Sequence, residues 1–85
     1  MDNRPALIGI MLTDPEAAEK MNAALHEYRD YIIGRMGIPC RDMGVSLVSI
    51  ALSAPQNAIS ALSGKLGSIK GISAKTITHR VPEKQ

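Results

Sequence analysis

Apolar residues along this chain fall into strand-like runs separated by segments of helical spacing. The first run, Arg4–Leu12, is almost continuously apolar, which predicts a strand buried on both faces. Asp14, Pro15 and Glu16 then form a helix start: aspartate caps free amides, proline suits the first turn, and glutamate complements the helix dipole. Apolar residues recur at helical spacing as far as Tyr28, so a helix from Pro15 to Tyr28 is predicted.

The rest of the chain repeats this alternation. Gly34 and Gly37 lie inside the second apolar run and indicate a bulge or a close backbone approach. Cys40–Gly44 is rich in turn residues and predicts a hairpin connection, and Gly67 is expected to end the second helix. The predicted strands are Arg4–Leu12, Asp30–Pro39, Val45–Ser53 and Gly71–Val81, the predicted helices are Pro15–Tyr28 and Pro55–Leu66, and Pro82–Gln85 is a polar tail.

The predicted order of elements is βαββαβ. Two helix–strand units joined by a central hairpin are typical of the ferredoxin-like split βαβ sandwich. We therefore predict a single α+β domain over residues 1–85, with a four-stranded antiparallel sheet and both helices on one face.

The face of the sheet that the helices leave open is expected to be apolar. A two-layer domain with one wet face should alternate apolar and polar residues along each strand. Here the outward positions of the first and third strands are small or apolar, namely Leu7, Gly9, Met11, Leu47 and Ala51. Soluble monomers rarely expose such a patch, so we predict a homo-oligomer, a dimer or a tetramer, with these residues at the interface.

Composition and charge narrow the chemistry. Hydrophobic residues make up 45% of the chain, with no Phe, no Trp and two Tyr, so the core is aliphatic. The formal net charge is +2, but residues 1–42 carry five basic and seven acidic residues, and residues 43–85 carry five and one. The second half could therefore attract anions, but its basic residues form no dense cluster, so scattered solvated side chains are the favoured explanation.

Features that the sequence lacks set expectations for the cellular compartment and for catalysis. The single Cys40 excludes an intramolecular disulfide. No signal peptide is recognisable, and no apolar stretch reaches the roughly 18–20 residues that span a bilayer, so a cytoplasmic location is expected. The serines stand without a glycine-rich elbow or a paired histidine and acid, so we expect neither an enzyme nor a cofactor. The predicted central strands contain no aromatic residue, which excludes base stacking of RNA on the sheet.

Two sets of residues are candidates for binding. His26 and His79 are possible metal ligands across subunits, but their spacing is not that of a metal motif, and a helix-end and an exposed strand histidine explain them more simply. Tyr28, Tyr31 and Arg35 are the densest polar–aromatic group. We expect Tyr31 and Arg35 on one face of the second strand, where they could line a small-molecule cleft.

The alternative for this group is structural. Tyr31 would then fill the oligomer interface, and Arg35 would pair with Asp30 or Asp42. The sequence favours neither interpretation.

Two segments resemble a known family. YIIGRMGIP over residues 31–39 and ISALSGKLG over residues 59–67 are similar to the iron-only (FeFe) hydrogenase system regulators, small proteins with an ACT-like fold. The resemblance implies an oligomeric regulator similar to the ligand-binding C-terminal domain of nickel-responsive transcription factors. Those factors carry a DNA-binding segment before this domain, and none precedes Met1 here, so direct DNA binding is not expected.

Three hypotheses for function follow. The first is a regulatory module, of the transcriptional hydrogenase-system type, that senses a small effector or partner at its oligomer interface. The second is a nickel-like metal sensor that uses His26 and His79 across subunits. The third is an accessory protein that docks on a partner through an exposed sheet edge.

Overall fold

The structure, a computed structural model, describes residues 2–79. The main elements are β1 (Arg4–Leu12), α1 (Ala18–Glu27), β2 (Ile32–Cys40), β3 (Val45–Ala54), α2 (Gln56–Gly67) and β4 (Ile72–Thr78). Short 3-10 turns over Pro15–Ala17, Arg29–Tyr31 and Arg41–Met43 precede α1, β2 and β3. The end of the predicted fourth strand and the predicted tail lie outside the described residues.

The four strands form one antiparallel sheet in the order β2-β3-β1-β4. The apolar stripes of α1 and α2 pack against one face of that sheet in a single hydrophobic core. The predicted α+β ferredoxin-like sandwich is therefore confirmed. Over residues 2–79, no helix is long and apolar enough to cross a membrane.

Burial alternates strictly along the two central strands. The even-numbered residues from Ala6 to Leu12 and from Val48 to Ala54 face the helices and form the core with residues of α1, α2 and β4. The prediction that the first strand is buried on both faces is wrong for the single chain, because its odd-numbered residues are exposed. The buried side chains on the central strands are Ala6, Ile8, Ile10, Leu12, Val48, Ile50, Leu52 and Ala54.

The second strand begins later than its sequence predicts. Tyr31 donates its backbone N–H to the carbonyl of Tyr28 over 3.0 Å, which closes a tight turn after α1. Residues 29–31 are therefore in a 3-10 turn and not in the ladder. The bulge predicted from the glycines is present between Ile32 and Gly34, where Ile33 is the unpaired residue.

The two helices are linked at their surface. Lys65 of α2 donates to the Glu27 carboxylate of α1, and this hydrogen bond raises the pKa of Lys65. Both side chains are well exposed, so the ion pair adds little stability. Ser63 and Thr76 share a hydrogen bond that joins α2 to β4.

The turn into β4 packs against the start of the first helical segment. Asp14 caps that segment as predicted, because its Oδ1 accepts from the N–H of Glu16 over 3.0 Å. The carbonyl of Gly71 accepts from the N–H and hydroxyl of Thr13, over 2.8 and 3.1 Å. Gly71 has a φ of +91°, whereas Gly67, predicted to end α2 as the capping glycine, has no positive φ and is the last residue of the helix.

We predict that Gly71→Ala destabilises the protein by about 2 kcal/mol. A Cβ at this position would lie 2.6 Å from the Cβ of Asp14, in addition to the strained φ. Urea unfolding followed by circular dichroism measures the change. Gly37→Ala is the control, because a Cβ there meets nothing within 4 Å and φ is not positive. Equal stability of the two variants would contradict the role given to Gly71.

Candidate functional site

The uncovered side of the sheet is built from three rows of side chains that run across all four strands. We call these positions the outer face. From β2 to β4, the register gives the first row as Ile38–Leu47–Met11–Ser73, the second as Met36–Ser49–Gly9–Lys75 and the third as Gly34–Ala51–Leu7–Ile77. The predicted interface residues Leu7, Gly9, Met11, Leu47 and Ala51 all lie there, side by side.

The outer face has a ridge and a hollow. In the first row, Ile38, Leu47 and Met11 stand next to one another as a ridge of large side chains. In the second row the two central positions, Ser49 and Gly9, are small, and a largely apolar hollow of about 550 Å³ opens above them. The relief of the face therefore follows from where the sequence places small residues on adjacent strands.

The outer face is apolar to an extent that is unusual for a solvated surface. Met11 is 54% exposed and Ile77 is 71% exposed, and the other large aliphatic side chains of the face are similarly open. Lys75, on the edge strand β4, is the one charged side chain among the twelve positions. Contiguous apolar patches of this kind are typical of surfaces that bind another molecule.

The sequence analysis missed part of this surface. Met36, Ile38 and Ile77 belong to the outer face but were not predicted as interface residues. The glycines of β2 and the bulge at Ile33 interrupt the alternation of apolar and polar residues along this strand. Counting every second residue from Tyr31 therefore does not identify the side chains that face outward. For β4, the alternation of Ser73, Lys75 and Ile77 mixes polar and apolar residues.

The structure separates the predicted ligand group. Tyr28 ends α1 and Tyr31 lies in the following turn, and both rings are half-buried against the core. The prediction that Tyr31 and Arg35 share a face of the second strand is wrong, because the strand begins only at Ile32. Arg35 is paired with Ile50 in the register and therefore faces the helix side of the sheet.

Arg35 instead meets residues of α1 across a small cleft. Its Nη2 donates to Oδ1 of Asn22 over 2.8 Å, and not to Asp30 or Asp42 as the structural alternative predicted. The cleft between α1 and β2 has a volume of about 300 Å³ and is lined by Asn22, Leu25, His26, Arg29, Ile32 and Arg35.

The two histidines lie on opposite sides of the sheet. His26 lines the cleft on the helix side, whereas His79 lies beside Leu7 and Ile77 on the outer side. One chain therefore does not bring them together, and a metal site that uses both stays a prediction that requires two chains. Residues 2–79 contain no cluster of three or more His, Cys, Asp or Glu side chains suited to a metal ion.

Solved structures share this architecture. The uncharacterized protein TM1266 from Thermotoga maritima superposes with a TM-score of 0.88 at 30% sequence identity, covering 93% of this chain and 100% of that one. A prephenate dehydratase from Streptococcus mutans matches with a TM-score of 0.61 at 17% identity, over 89% of this chain and 43% of that one. A formyltetrahydrofolate deformylase from Pseudomonas putida KT2440 matches with a TM-score of 0.62 at 11% identity, over 86% of this chain and 28% of that one. The last two likenesses concern the fold alone.

The sheet order, the two helices on one face and these structural relatives define an ACT-like domain of the ferredoxin-like type. The sequence profile of one family, described as "TM1266-like: Iron-only hydrogenase system regulator, putative", matches residues 4–76. The chain belongs to this TM1266-like family. No curated protein matches its sequence.

We predict that His26→Ala and His79→Ala weaken any binding of Ni²⁺ independently. Within one chain the two imidazoles lie on opposite sides of the sheet, so neither should depend on the other. Calorimetric titration of the two single variants and the double variant measures this, since each single variant should lose its own site and keep the other at wild-type affinity. Loss of all Ni²⁺ binding in either single variant would instead show a shared metal site between two chains.

Proposed function

We propose that this protein is a non-enzymatic regulator of the iron-only hydrogenase system that works as a homo-oligomer built on the outer face. Its family supports the regulatory role. The observation that carries the oligomer is the apolar outer face, which is continuous across all four strands.

The charge of the outer face favours a second copy of this chain as the molecule that covers it. A two-fold interface brings the same patch together from both subunits, so it must be complementary to itself. An apolar patch meets this condition, whereas a charged patch would repel its own copy. Lys75 lies on the edge strand, away from the centre of the face.

The relief of the outer face also favours a second copy. A two-fold axis between the first and second rows, parallel to both, places each ridge over the hollow of the other subunit. Met11 and Leu47 of one subunit then enter the hollow that lies above Gly9 and Ser49 of the other subunit. In this arrangement Lys75 faces the partner's Ser73, so the two ammonium groups do not meet.

Close packing is necessary because the apolar area alone is marginal. A half-exposed leucine, isoleucine or methionine gains about 1 kcal/mol when the rest of it is buried. Six such residues from each copy give about 12 kcal/mol, which is of the same order as the roughly 4–15 kcal/mol that association costs. The fit of ridge into hollow therefore decides whether the oligomer is stable.

The regulatory output, transcriptional in this proposal, would depend on the oligomer and its effector. Neither central strand carries an aromatic side chain, so the sheet offers no platform on which nucleic acid bases could stack. In this proposal the module therefore acts by binding an effector or a partner protein.

We predict that the wild-type protein is a dimer or tetramer at micromolar concentration and that Met11→Glu dissociates it. A carboxylate without a partner in the interface costs several kcal/mol, so the dissociation constant should rise by about 100-fold or more. Sedimentation equilibrium measures this directly.

Met43→Glu is the matched control for this substitution. Met43 is 74% exposed, in the turn that joins β2 to β3, and is not part of the three rows. The control should therefore keep the oligomer. A wild-type monomer, or equal dissociation of both variants, would refute the proposed interface.

We further predict that Ser49→Leu weakens the oligomer although it makes the outer face more apolar. The larger side chain fills the hollow into which the partner's ridge is proposed to pack, so the faces can no longer approach closely. Sedimentation equilibrium should show a dissociation constant at least about 10-fold higher, equivalent to 1.4 kcal/mol. A tighter oligomer would mean that apolar area, and not this shape, drives association.

A further inference from the structure

We infer that the cleft between α1 and β2 binds a small dianion of the phosphate monoester or dicarboxylate class. This inference deepens the proposed function, since it gives the effector a chemical class, and it rests on that function only for the regulatory meaning of binding. The cleft combines two guanidinium groups, one imidazole and one carboxamide above an apolar floor of Leu25 and Ile32.

The arginines of the cleft are held in place but are not neutralised. Arg35 donates to Asn22 over 2.8 Å, and Arg29 donates to the carbonyl of His26 over 2.9 Å. Each contact uses one of the five N–H donors of a guanidinium group and leaves others free for an anion. In the described part of the chain, neither arginine has a carboxylate within salt-bridge distance.

The local charge favours an anion. No acidic residue lines the cleft. Glu27, the acid next to His26, is engaged by Lys65 of α2, and Asp30 is exposed in the turn and does not line the cleft. The carboxyl end of α1 contributes only about half a negative charge, against two full positive charges of the arginines.

The geometry of the cleft sets the class of ligand. Guanidinium groups bind the oxygens of a phosphate or a carboxylate through paired hydrogen bonds, which selects an oxyanion over a halide. A volume of about 300 Å³ is at the lower end of ligand pockets, so it suits a small metabolite and not a nucleotide. The apolar floor can contact the carbon part of such a ligand.

The position of the cleft keeps it open in the proposed oligomer. It lies on the helix side of the sheet, and the outer face lies on the other. Adjacent residues of β2 contribute to the two opposite surfaces of the sheet. Arg35 lines the cleft, and Met36 belongs to the outer face. An anion that fixes Arg35 therefore acts on a strand that also forms the interface.

Titration of the full chain with inorganic phosphate and, separately, with succinate tests the inference by amide chemical shifts in NMR. We expect saturable shifts at Asn22, His26 and Arg35 with at least one of the two anions. Tighter binding of phosphate would identify the ligand as a phosphate monoester, which carries both negative charges on one group. Tighter binding of succinate would identify it as a dicarboxylate, which carries them on two. Arg29→Gln and Arg35→Gln should each weaken binding by about 10-fold or more, since each removes charge-assisted hydrogen bonds.

Arg41→Gln is the control, because it removes one exposed arginine in the turn before β3, outside the cleft. It should leave the affinity within about 2-fold, since a distant surface charge is screened by salt. Thermal unfolding checks that all three variants are folded. Absence of saturable binding of both anions, or an equal loss in Arg41→Gln, would overturn the inference, whereas sedimentation tests the oligomer separately.

Discussion

A four-stranded antiparallel sheet has two faces, and residues 2–79 of this chain supply two α-helices with which to cover them. Both helices pack on the same face, because the even-numbered residues from Ala6 to Leu12 and from Val48 to Ala54 are uniformly apolar and form one core with them. The outer face is then left to solvent in a single chain. Since that face is also apolar, packing both helices on the first face leaves on the second a surface of the kind that binding partners cover, and the proposed oligomer rests on it.

The same constraint explains why small residues matter on the outer face. A sheet covered by helices can tolerate large side chains at every inward position, since the helices adapt their distance. Two flat sheets that meet directly must interlock, so ridges need hollows. Ser49 and Gly9, adjacent on β3 and β1, supply a hollow of about 550 Å³ beside the ridge that Leu47 and Met11 form.

The sequence predicts the features that depend on one regular strand and misses those that depend on irregular backbone. Alternation along β1 and β3 is unbroken, so their inward and outward residues follow from counting. On β2 the turn that holds Tyr31 and the bulge at Ile33 each shift the count. The glycines indicate a bulge but do not fix the residue at which it lies, and no local pattern marks the turn. The cleft is harder still to predict from the sequence, because Asn22 and Arg35 come into contact only through the packing of α1 on the sheet. Both also lie in the half of the chain that is net acidic, where an anion site is not expected.

The edge strand β2 contributes residues both to the cleft on the helix side of the sheet and to the outer face. It is paired on one side only, with β3, and most of its residues are exposed, so its conformation is less constrained than that of the central strands. Arg35 faces the cleft, and Met36 and Ile38 face outward. If a ligand on Arg35 and a partner on Met36 favour different positions of this strand, each must change the affinity of the other by the same factor. Coupling between the proposed effector and the proposed assembly therefore rests on β2 as the strand that both would contact.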